Sequence, residues 1–155
     1  MRRLIYILMA VSFCFLLQAV FPDLFIIFKA RPDFLLIIVV LLSPSFSCPS
    51  SGLFGLTCGL LQDAVGIARL GTNGLAKSII AVSVNLISQK IYPNKIEIQF
   101  AILFLATLIN GIILFFVGMV FQQSLPSIFS LLIEGLYNGI FGVLIWRLLK
   151  AINLL

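Results

Sequence analysis

Lys77 and Glu134 are the residues whose chemistry first needs explaining, because each sits inside an apolar run that carries no other charge. An ionisable group near the middle of a bilayer costs about 2.5 kcal/mol or more, so it persists only with a partner or a task. Asp33 opens one neighbouring apolar run, Asp63 closes another, and Arg31 lies just before the first. Counted along helices at about 1.5 Å per residue, Arg31, Asp33, Asp63, Lys77 and Glu134 all fall toward one end of a helical bundle. Such a cluster could meet a partner or a solute. It could also serve structure alone, with Asp33 at a helix N-terminus and Lys77 reaching outward to pair with Asp63.

No catalytic set accompanies these residues. The chain has no His, which excludes His-based triads, proton shuttles and His-ligated metal sites. Cys14, Cys48 and Cys58 are odd in number, far apart and form no CxxC, so they are expected to be small apolar packing residues. GxSxG, HExxH and P-loop patterns are missing, and Gly59 to Asp63 does not match the GxGD of intramembrane aspartyl proteases. Lys77 and Ser78, adjacent on a helix, point about 100° apart and cannot act as base and nucleophile. The expectation is a protein that is not an enzyme, with no catalytic, cofactor or metal residues.

The elements that position the cluster follow from composition. Of 155 residues, 62% are hydrophobic and 10% charged, against about 45–50% and about 25% in soluble domains. With a mean hydropathy of +1.24, the sequence predicts an all-α, polytopic integral membrane protein of about six transmembrane helices in a single domain, residues 1–155. The first segment, Leu4 to Phe21, has an apolar core longer than the usual signal-peptide core of about 7–15 residues and reads as an uncleaved helix. Phe34 to Leu42 spans only about 14 Å of the roughly 30 Å hydrocarbon core. Pro44 and Pro49 bracket a Ser-rich joint before Leu53 to Leu61. Segments two and three are therefore two short crossings extended by polar joints, or a re-entrant hairpin shielded by its neighbours. The fourth helix is expected from a cap at Thr72 or Asn73 to about Ile91, the fifth over Ile98 to Phe121 and the sixth over Ser127 to Arg147.

Ten Lys and Arg against five Asp and Glu give a net charge of +5. These charges are scattered and form no basic patch, so nucleic acid is excluded as a partner and the excess is read as topology. Six crossings place Arg2, Arg3, Lys90, Lys95, Arg147 and Lys150 on one side and Lys29, Arg31 and Arg69 on the other. Both termini are then cytoplasmic, and the polar cluster is external. Asn110 and Asn138 fall near the middles of helices five and six, where an interhelical hydrogen bond between them is plausible. Gly55 with Gly59, and Gly135 with Gly139, form GxxxG steps that permit close helix approach by this chain or another.

Arg31-Pro32-Asp33 before its aliphatic run, GLTCGLLQD over Gly55 to Asp63 and LGTNGLAK over Leu70 to Lys77 resemble the bacterial rod shape-determining MreD family. The Ser/Pro/Cys-rich joint at Ser43 to Ser51 departs from it, since many relatives would carry basic residues there. The resemblance implies a non-enzymatic, multi-pass inner-membrane protein of the elongation machinery that builds the lateral cell wall. It implies a direct contact with the bitopic protein MreC in the lipid bilayer. MreB, the polymerase RodA and its partner penicillin-binding transpeptidase would share that complex. The implied fold is similar to the substrate-binding subunits of energy-coupling factor transporters, so a small-molecule, vitamin-like binding subunit is the alternative. A lipid-active membrane enzyme is a third reading, without a recognisable catalytic set.

Overall fold

The computed structural model describes residues 2–20, 31–66, 71–90, 95–121 and 127–151. Lys29 and Arg69, used above for topology, and the turn expected from the sequence Tyr92-Pro93-Asn94 lie outside them. The described elements are α1 (Arg2–Val20), α2 (Phe34–Leu42), a 3-10 turn (Ser43–Ser45), α3 (Cys48–Val65), α4 (Thr72–Ser88), α5 (Ile96–Val120) and α6 (Ile128–Ala151).

The unbroken aliphatic run of α2 has no polar face to give to solvent, and the fold uses it as an axis. Each of its nine residues is at most 5% exposed. The other five helices all touch it. Around it α3 packs on α1 and α4, and α5 on α4 and α6, whereas α1 packs on neither α5 nor α6. Among the described residues the ring is thus open along one seam, between α1 and α6.

Polarity is inverted relative to a soluble protein. Large apolar side chains such as Phe13, Leu53, Ile79, Phe116 and Ile128 are exposed, while Asp33, Lys77, Asn85, Thr107, Asn110 and Asn138 are buried. That is the arrangement a lipid solvent demands, because a polar group there must find its partner inside the protein. The helices α5 and α6, with 25 and 24 residues, are long and apolar enough to cross a bilayer.

Several helix ends shift by two to four residues from the sequence reading, and two helix starts differ for a local reason. Instead of starting at Leu53, α3 starts at Cys48, because Pro49 occupies its first turn, where a missing N–H costs nothing. The N-cap of α4 is Gly71, at φ 98°, rather than Thr72 or Asn73.

The GxxxG steps are filled from within this chain. A Cβ on Gly55 would strike the Lys77 carbonyl, and one on Gly59 the Asn73 carbonyl, both backbone atoms of α4. On α6, Gly135 and Gly139 lie under the rings of Phe104 and Phe100 from α5. Backbone cannot move aside as a ring can. Gly59→Ala is therefore expected to cost about 1–3 kcal/mol and Gly135→Ala less, read as thermal-unfolding midpoints in detergent. Equal midpoints for the two variants would contradict the packing described.

Candidate functional site

A helix that begins inside a bundle has N–H groups with no partner in its own helix. For α2, Asp33 is the N-cap, and its Oδ1 accepts the Leu36 N–H at 2.8 Å. The Leu35 N–H donates to Gln18 Oε1 of α1 at 3.2 Å, and the Asp33 N–H to Asn138 Oδ1 of α6 at 2.8 Å. Asp33 Oδ2 accepts from Lys77 Nζ of α4 at 2.6 Å and from Gln62 Nε2 of α3 at 3.3 Å. Asn138 Nδ2 then donates to Thr107 Oγ1 of α5 at 3.1 Å, and the Thr107 hydroxyl to the Leu103 carbonyl at 2.8 Å. All six helices are tied to the N-terminus of α2.

This network corrects two sequence expectations. Lys77 pairs with Asp33 and not with Asp63. The Asp63 carboxylate is already committed to the start of α4, accepting the N–H groups of Gly71 at 2.8 Å, Asn73 at 3.2 Å and Gly74 at 3.3 Å, and Asn73 Nδ2 at 2.8 Å. A helix N-terminus attracts a carboxylate by its unpaired donors and its dipole, which leaves the deeper Lys77 to the cap of α2. The second correction concerns the two amides. Asn138 bonds to Thr107 and to the Asp33 backbone rather than to Asn110, whose Oδ1 is buried without a partner.

Asn85 secures the other end of α2. Its Nδ2 donates to the Ser43 carbonyl at 2.7 Å and the Phe46 carbonyl at 2.9 Å. Lys77 and Asn85 are two helical turns apart on α4, about 12 Å, close to the length of α2, so one face of α4 holds both ends of the axis. Sequence reasoning missed Gln18, Gln62, Asn85 and Thr107 as network members. The only signal was that spacing of Lys77 and Asn85 beside a nine-residue apolar run.

Beside the node lies a cavity of about 580 Å³. Its walls include Phe15 and Gln18 of α1, Arg31, Asp33, Gln62, Asn110 of α5 and Glu134 of α6. Of the five clustered residues, Arg31, Asp33 and Glu134 share this cavity. Lys77 joins it through Asp33, and Asp63 stands apart at the corner between α3 and α4. Glu134 is partly buried and makes no hydrogen bond or ion pair among the described residues.

The arrangement can hold helices in register and can accept hydrogen bonds from something in the cavity. Lys77, the one buried amine described, is engaged by Asp33. Among the described residues no three His, Cys, Asp or Glu side chains gather as metal ligands would. A family model described as rod shape-determining protein MreD matches residues 1–152. No curated protein and no solved structure matches the chain.

Proposed function

The chain belongs to the MreD family, a non-catalytic family, and on that premise we propose that it is an inner-membrane scaffold of the elongation machinery, holding MreC and helping to organise lateral peptidoglycan synthesis. The observation that carries this reading is the family match from residue 1 to residue 152. The physical support is a bundle whose six helices meet in one buried network, a rigid body of the kind a scaffold needs. RodA, its partner transpeptidase and MreB are the further members of the proposed complex. The glycine steps on α3 and α6 are occupied by α4 and α5, so they do not serve MreC.

In the proposed topology all six helices belong to the membrane domain, α2 being a short segment enclosed by its neighbours. The fold would be similar to that of vitamin-binding transporter subunits. Both termini lie in the cytoplasm, and the node and cavity lie toward the outside. Reporter fusions at Leu155 and at residues 92–95 are expected to read cytoplasm, and one at Gln122 exterior. An external C-terminus would contradict this topology. For the function itself, expression of the chain in rod-shaped cells depleted of their own family member is expected to restore rods. Folded, membrane-inserted protein that leaves the cells round would overturn the reading. The cavity favours one second reading, a solute-binding subunit, and a vitamin copurifying in the absence of MreC would select it.

A further inference from the structure

Beyond the scaffold role, we infer that the cavity beside the α2 N-terminus is a binding site for a primary ammonium group, supplied in the membrane by an amine-headed phospholipid such as phosphatidylethanolamine. Its polar equipment is an excess of acceptors. Asn110, 2% exposed, has an Oδ1 without a partner among the described residues. Gln62 spends its Nε2 on Asp33, which fixes the orientation of its amide and leaves Oε1 unpaired as well. A buried acceptor without a donor is costly, and a donor brought by a ligand relieves that cost.

Charge selects the kind of donor. Asp33 is neutralised by Lys77, whereas Glu134 on the same cavity wall has no cationic partner among the described residues. An ammonium group brings three N–H donors and one positive charge, which matches a lining that holds a carboxylate and two amide side chains with unspent acceptors. Apart from Gln18 and Asn73, whose side chains are already hydrogen-bonded to the Leu35 N–H and to Asp63, most of the remaining wall, including Phe15, Phe34, Leu35 and Leu114, is apolar and suits the body of an amphiphile. Access for a lipid follows from the fold. The cavity is walled by the last turns of α1 on one side and by α5 and α6 on the other, the sides between which the ring is open among the described residues.

The test uses the full chain in nanodiscs containing phosphatidylethanolamine, phosphatidylcholine and phosphatidylglycerol, followed by detergent extraction and mass spectrometry of the retained lipid. Phosphatidylcholine carries the charge without the N–H donors, and phosphatidylglycerol carries neither. Wild type is expected to enrich phosphatidylethanolamine over both by about tenfold, the worth of one charge-assisted hydrogen bond. Glu134→Gln is expected to return the retained lipid to the bulk ratio while keeping the wild-type unfolding midpoint in nanodiscs that lack amine-headed lipid. Should that variant not fold, Asn110→Ser gives the same readout with a smaller loss. A second arm adds ethanolamine to nanodiscs lacking amine-headed lipid. A rise in the wild-type midpoint that Glu134→Gln abolishes, without lipid enrichment, assigns the ammonium to a water-soluble amine. Bulk-ratio lipid with no response to ethanolamine, or enrichment that survives both substitutions, overturns the site.

Discussion

Lys77→Met is expected to lower the stability of the bundle by about 3–5 kcal/mol, because it leaves the Asp33 carboxylate buried without its counter-charge. Asp33→Asn is expected to cost a similar amount by stranding the Lys77 amine, which is 0% exposed. Removing both charges at once removes the cause of each penalty. The double variant Lys77→Met/Asp33→Asn should therefore be much less damaged than the sum of the two, the sign of a coupled pair in a double-mutant cycle. Lys77 and Asp63 share no hydrogen bond or ion pair, so Lys77→Met/Asp63→Asn should lie nearer the sum. The cycle is read by unfolding in detergent micelles. Strict additivity of Lys77 with Asp33 would remove the ion pair from this account.

A second large loss is expected for Asp63→Ala. That carboxylate accepts the N–H groups of Gly71, Asn73 and Gly74 and the Asn73 amide. Each donor left buried without a partner costs about 1–3 kcal/mol. A loss of about 3 kcal/mol or more is therefore expected, with part of the full sum recovered where water reaches the helix end. Its location is as diagnostic as its size. Hydrogen exchange should quicken first at residues 71–75, while amides of α5 keep their protection. Asp63→Asn retains one acceptor oxygen and should fall between wild type and Asp63→Ala. Unchanged exchange at residues 71–75 in Asp63→Ala would contradict the capping role.

Much of the architecture could be read from residue order. The second helix has the expected bounds, Phe34–Leu42, because Pro32 and Asp33 mark its start and nothing polar interrupts its run. The third helix starts earlier than its apolar run suggests, because Pro49 ends an element in one context and opens one in another, and only the surrounding backbone decides. Of the clustered charges, sequence reasoning placed all five at one end of the bundle but mispaired Lys77. A short loop brings Asp63 near α4, yet loop length says nothing of how strongly the α4 N-terminus itself attracts a carboxylate. Depth alone matches Asn110 to Asn138. Depth leaves helix rotation undetermined, and rotation aims Asn138 at Thr107 and Asp33 instead. Gln18 and Gln62 could not be assigned from sequence, because the donors and acceptors they satisfy belong to a helix N-terminus whose burial is a property of the assembled bundle.

The scaffold reading is tested most directly by co-expressing the full chain with MreC from the same bacterium, solubilising both in mild detergent and purifying through a tag on the chain. The account predicts that MreC co-elutes in fixed proportion through a subsequent sizing column, and that Lys77→Met, which loosens the bundle, yields less complex per folded molecule. MreC eluting apart from a chain whose unfolding midpoint shows it to be intact would contradict the account.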